Sequence, residues 1–161
     1  MTTHRVQLSL LWLVMVVGMM LHFDYHVSGI FYGIELKRPN ATGEFPPTIW
    51  LIRFVFQLAP MMAVTFLLFF EAQWFRVAHF GVSILYTLAH ASHLIREFEK
   101  PDMSQLNLLS LVLVVSLLLN IVSLRWLKEG RGEIKTQDSQ QVATSSIHKT
   151  QPATMTQVFS T

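Results

Sequence analysis

The run VQLSLLWLVMVVGMMLHF, residues 6–23, decides the fold. It carries no Asp, Glu, Lys or Arg and a single glycine, Gly18. At about 1.5 Å of rise per residue, a helix over this run nearly crosses a hydrocarbon core of roughly 30 Å. Helical continuation through His26 completes the crossing. A cleaved signal peptide is the rival reading. Its apolar region would be about 7–15 residues long and followed by an A-x-A-like site. This run is longer and no such site follows it, so a retained helix is expected, with cleavage after Gly29 as the alternative.

Three more runs repeat the pattern. Thr48 to Phe70 follows Pro46 and Pro47, which sit where prolines are tolerated at a helix start. Pro60 lies inside this run and predicts a kink. Val77 to Ile95 is joined to it by the short link Glu71-Ala72-Gln73-Trp74-Phe75-Arg76, so the two helices are antiparallel neighbours. Met103 to Leu124 carries no charge. The expected fold is an all-α membrane protein. It is a four-helix transmembrane bundle with spans at about 6–27, 48–70, 77–96 and 104–127. Residues 1–128 form the four-span transmembrane domain. Residues 129–161 are polar, too poor in apolar side chains to bury a core, and are expected to be a disordered tail.

Composition agrees with this reading. Hydrophobic residues make up 52% of the 161 and charged residues only 14%, against about a quarter in soluble domains. The net charge of +2 is too weak for a nucleic-acid partner. There is no cysteine, which excludes disulfides, thiolate zinc sites and thiol catalysis. Residues 27–47 are punctuated by Gly29, Gly33, Pro39, Gly43, Pro46 and Pro47 and form the longest connection. Asn40-Ala41-Thr42 matches a glycosylation sequon, but the motif recurs by chance and reads as an unmodified turn.

Four spans put both termini on one side, with Arg5, Arg76, Arg125, Lys128, Arg131, Lys135 and Lys149. Lys37, Arg38, Arg53, Arg96 and Lys100 lie on the other. The excess of basic residues on the first side places both termini in the cytoplasm, with the plasma membrane as the expected location. The lipid bilayer is then one partner, and a membrane protein or a second copy of the chain is the other candidate.

This topology gathers the chemically rich residues at the outer end. His22, Asp24, Tyr25 and His26 come from the first helix, and Arg53 and Gln57 from the second. His90, His93, Arg96 and Glu97 come from the third, and Asn107 from the fourth. His79 falls at the opposite end and is set apart. His22 and His26 are four residues apart, and His90 and His93 three apart. Such spacings put paired imidazoles on one helical face, which is how bundles build metal sites. His22, His26, His90 and His93 are therefore candidate ligands for a transition metal (zinc, copper or iron). Asp24, Glu97, Arg53 and Gln57 are candidate supporting groups or alternative ligands. A bis-histidine haem b is a second version of the idea.

The bland reading is a salt-bridged polar cap at helix ends, with Arg53 paired to Asp24 or Glu97. It belongs with a non-catalytic membrane subunit or scaffold. An oligomeric transporter is a third class, disfavoured because no charge is seen near mid-membrane. Met15, Met19, Met20, Met61 and Met62 could ligate Cu(I), but read as gap fillers in an apolar core. HExxH is absent and no nucleophile elbow surrounds Ser92, so the sequence names no reaction.

Overall fold

The structure is a computed structural model, and it describes residues 3–36, 42–98 and 103–150. Four long helices account for nearly all of them: α1 (Thr3–Ser28), α2 (Pro47–Phe69), α3 (Gln73–Glu97) and α4 (Met103–Thr150). A short 3₁₀ turn, Gly29–Tyr32, follows α1 and closes on Gly33 at φ 77°, where a glycine avoids the Cβ clash of the left-handed region. The sequon falls on residues 40–42, of which 40 and 41 lie outside the described residues. Lys37, Arg38 and Lys100 lie outside them as well.

α1, α2 and α4 are long and apolar enough to cross a membrane, and α3 is not. The four-span expectation is therefore met by composition in three helices. At 25 residues α3 is about 37 Å long, so length is no obstacle. Its polar side chains lower its hydropathy, and several of them face inward. Arg76, His79, Ser83, Tyr86 and His90 are its buried residues.

Pro47 opens α2 at the first helical position. The expected kink near Pro60 takes a specific form, a π turn over Phe54–Leu58. In that turn the Ala59 N–H bonds to the Phe54 carbonyl, five residues back. The next bond in this register would run from Pro60 to Val55, and proline has no N–H to give. The Tyr86 hydroxyl of α3 donates to the Val55 carbonyl instead.

The core is built from Leu8, Trp12 and Met15 of α1, Leu67 of α2, Tyr86 of α3, and Val112, Val115, Leu119 and Trp126 of α4. α4 packs along both α1 and α3, while α2 packs on α1. The close approach of α1 and α4 needs Gly18. A Cβ there would lie 2.7 Å from Val112 Cγ2. Small residues at such crossings let helices approach in a membrane, where no hydrophobic effect drives them together. Many large apolar side chains remain on the outside, among them Leu10, Val17, Leu85, Leu88, Leu111 and Val114.

Charged groups tie the helices at one end. Arg5 is buried, donates from Nε to the Leu67 carbonyl at 2.7 Å, and pairs with Glu71. Leu67 is in the last turn of α2, where carbonyls lack helical partners. Arg76 donates to the Glu71 carbonyl at 3.1 Å, to the Trp126 carbonyl at 3.1 Å and to Glu133 at 3.2 Å. Its guanidinium also lies over the Trp126 ring, 5.1 Å from the centroid.

A disordered tail is expected from residue 129, and Glu133, which Arg76 holds, lies in its first residues. α4 continues through Thr150. An existing helix extends at the cost of propagation alone, without a new nucleus, and Arg76 grips it beyond the apolar stretch. Gly130 permits that grip, since a Cβ there would meet the Arg76 guanidinium. Residues 151–161 lie outside the described residues.

Candidate functional site

The far end of the bundle joins α1, α3 and α4 through imidazoles. His22 is buried on α1, and its Nδ1 lies 2.6 Å from Gln105 Oε1 on α4. An amide oxygen only accepts, so His22 Nδ1 carries the proton and Nε2 is left with a free lone pair. His93 Nε2 on α3 lies 3.1 Å from His22 Nε2. That contact makes His93 the donor. The two rings stand edge to face, with centroids 5.0 Å apart. His26, one turn along α1, sets its ring 4.6 Å from that of His22. Glu97 is near enough for its charge to act on both His22 and His93.

Three of the four expected imidazoles thus come together: His22, His26 and His93. His90 does not join them. Its ring is 2% exposed, neither nitrogen has a hydrogen-bond partner, and its ring contacts are Phe56 at 5.7 Å and Tyr86 at 6.2 Å. Among the described residues, no three His, Asp or Glu side chains are arranged to hold a metal ion.

The supporting residues divide differently from expectation. Glu97 is one turn beyond His93 on α3. Asp24 is exposed and two residues from both His22 and His26, hence on another face of α1. The expected ion pair of Arg53 with Asp24 or Glu97 is absent from the described residues. Arg53 is exposed and lies over Phe45, 5.2 Å from the ring centroid. So shallow an arginine reaches the surface with its head group, and the internal pair is unnecessary. Gln57 is exposed and lines an open groove of about 780 Å³ along α2 with Trp50, Arg53, Phe54 and Met61. Asn107 is exposed on α4. Gln105, not singled out from the sequence, is the α4 residue that matters.

His79, set apart in the sequence reading, occupies a built environment at the opposite end. Trp12 Nε1 donates to its Nε2 at 2.9 Å, and its Nδ1 lies 3.0 Å from Ser123 Oγ. The indole donor fixes a lone pair on Nε2, so Nδ1 holds the proton and gives it to Ser123. Trp12, Phe75 and Trp126 surround the ring.

His79 and His90 belong to one seam. Arg76, His79, Ser83, Tyr86, His90, His93 and Glu97 recur at alternating spacings of three and four along α3. That is the period of a helix face. Here the inward face is the polar one, so a search for an apolar stripe passes over it.

No protein-family model matches the chain, and no curated protein or solved structure matches it either.

Proposed function

We propose that the chain is a small four-span protein of the plasma membrane, with both termini cytoplasmic, that binds a transition-metal ion at the outer ends of α1 and α3. The observation that carries this is the pair of facing Nε2 atoms of His22 and His93, 3.1 Å apart. Two imidazole nitrogens bound to one zinc at about 2.0–2.1 Å in tetrahedral geometry lie roughly 3.3 Å from each other. The existing separation is nearly that edge. Gln105 holds the other nitrogen of His22, and a carbonyl on the outer nitrogen is the usual way a ligating histidine is fixed in tautomer and orientation. His93 makes room by moving its proton from Nε2 to Nδ1. His26 and Glu97 turn in as further donors. Zinc, copper and iron all suit imidazole. Haem b does not fit between His22 and His93, because rings in direct hydrogen-bond contact leave no gap for a macrocycle.

The spanning of α3 is part of this reading. Its contacts with α4 run from Arg76 against Trp126 and Glu133 to Thr87 against Ser116 and Asn120. The apolar window of α4 is long enough to cross, and a helix packed along it lies at the same depths. Residues 1–128 then form the transmembrane unit, and residues 129–161 extend from it into the cytoplasm.

Metal titration of the protein purified in detergent under non-chelating conditions tests the site. One equivalent of Co(II) is expected to bind and give a visible d–d band. The double substitution His22→Ala, His93→Ala is expected to abolish it, and Gln105→Leu to weaken binding by about 10–100-fold. Substoichiometric metal in the wild type would sink the reading.

A second reading, a non-catalytic membrane subunit, is favoured by α2. Only 11% of its apolar window is buried in the fold, and Trp50, Leu51 and Phe69 are among its exposed side chains. Cross-linking in native membranes would recover a partner on α2 under that reading. A lone monomer would count against it.

A further inference from the structure

Several orphaned polar atoms lie deep in the bundle. Both ring nitrogens of His90, the Asn120 Oδ1 and the Gln105 Nε2 are buried without a hydrogen-bond partner. Leaving one such group unpaired costs about 1–3 kcal/mol, and a bilayer offers no bulk water to relieve it. Orphans in folded proteins mark bound water or a working group. Ser9 Oγ, Gln73 Oε1 and Trp126 Nε1 are buried without a partner elsewhere in the bundle. Gln105 and Asn120 are fifteen residues apart on α4, roughly 22 Å along its axis. His90 is buried on α3, with Phe56 of α2 and Tyr86 as its ring neighbours.

The intervals between them are polar. Asn120 Nδ2 donates to Thr87 Oγ1 at 2.8 Å, and Thr87 is three residues from His90 on α3. The Thr87 hydroxyl also reaches the Ser83 and Ser116 carbonyls, at 3.1 and 3.2 Å. Three residues beyond His90, His93 meets His22, which meets Gln105. At its inner end the seam starts from the His79–Ser123 pair, and Ser123 is one turn from Asn120.

We propose that water files through the bundle along the buried polar face of α3, and that protons cross the bilayer along it through the imidazole of His90. This goes beyond the metal reading and shares with it the spanning of α3 and the outer contacts of His93, His22 and Gln105. In each transfer a hydrated proton binds the free ring nitrogen of His90, and its carrier is left as neutral water. The resulting imidazolium releases the proton on its other nitrogen to the next water. The ring ends neutral as the opposite tautomer, and rotation or back-exchange resets it. No oxidant, nucleotide or second ion is consumed.

Buried imidazole suits this task because it has both a donor and an acceptor nitrogen. The titratable groups whose charge reaches His90 are His93 on α3 and His22 on α1. Phe56 of α2 closes the remaining side with an apolar ring. Between His79 and His90 the described residues hold no group of three His, Asp or Glu for a metal ion, so the cation that this stretch fits is the proton itself.

The test uses the full chain in phosphatidylcholine–phosphatidylglycerol vesicles loaded with pyranine, under a valinomycin-clamped potassium potential. Wild-type protein is expected to change the internal pH well above the rate of protein-free vesicles. Two substitutions at one position, His90→Phe and His90→Gln, are expected to return it to that rate. Loss of a positioned acid–base side chain typically costs about a hundredfold or more. His4→Gln, outside the seam, is expected to conduct at the wild-type rate. Size exclusion and far-ultraviolet circular dichroism check that the His90 variants fold. Wild-type protein at the protein-free rate overturns the proposal, and so do folded His90 variants that conduct normally. A flux that a metal chelator abolishes would assign conduction to the outer imidazole pair and overturn the His90 path. A flux unaffected by chelator supports it whether or not a metal binds.

Discussion

Single polar atoms decide what this interior can be. Trp12 is fully buried, and its indole N–H is the donor that holds His79 in one tautomer. Trp12→Phe keeps an aromatic ring in the core and removes that donor. His79 Nε2 then has no partner in an environment closed by Phe75 and Trp126, at a cost of about 1–3 kcal/mol. Thermal unfolding in detergent should show a lower midpoint for Trp12→Phe. An unchanged midpoint would mean that the bond to His79 contributes nothing. His22 shows the same logic at the other end, where Gln105 Oε1 accepts from its Nδ1–H. Residue spacing made His22, His26 and His93 legible as a group, because i, i+4 pairs share a face. It misplaced His90. A step of three residues turns a helix by about 300°, so His90 and His93 differ by some 60° of direction. That is enough to aim one at α2 and the other at α1.

At the scale of elements, the interrupted helix α2 and the polar helix α3 explain each other. Pro60 leaves the Val55 carbonyl without a backbone donor, and Tyr86 supplies one from α3. A double-mutant cycle follows. Tyr86→Phe alone should destabilise the fold by roughly 1 kcal/mol, the ordinary contribution of a hydrogen bond. In a Pro60→Ala background the new N–H can serve α2 directly, so the same change should cost less. The expected coupling is about 0.5–1.5 kcal/mol, within the range for residues sharing a network. Strict additivity would show that the hydroxyl and the proline are unrelated. Pro60 announced a break in the sequence, and Pro47 the helix start. The donor that repairs the break was not legible, because nothing local connects residue 86 to residue 55. The continuation of α4 past Lys128 was hidden for the same reason. Its composition reads as disordered, and the grip of Arg76 on Glu133 exists only after folding.

For the whole molecule, the question is whether the polar helix crosses the bilayer with the apolar ones. Uncharged runs made α1, α2 and α4 readable from composition, since the bilayer excludes charge whatever the neighbours are. α3 packs along α4, and packing has no signature in a hydropathy window. The absence of cysteine in the chain makes this measurable, because single introduced cysteines carry no background. Four positions suffice: half-buried His4 and exposed Tyr32, Ala72 and Phe98. With four spans, His4→Cys and Ala72→Cys react with an impermeant maleimide only after the cytoplasmic side is opened. Tyr32→Cys and Phe98→Cys react in intact cells. If α3 instead lay on the surface, Phe98→Cys would label together with Ala72→Cys. Residues 129–150 would then share a side with Tyr32. Labelling Phe98→Cys from outside would place Arg76, His79, Tyr86 and His90 within the membrane on one continuous helix. The buried polar seam would then run from one aqueous phase toward the other. Labelling it only from inside would remove both the outer imidazole site and the proton path, since each depends on α3 crossing.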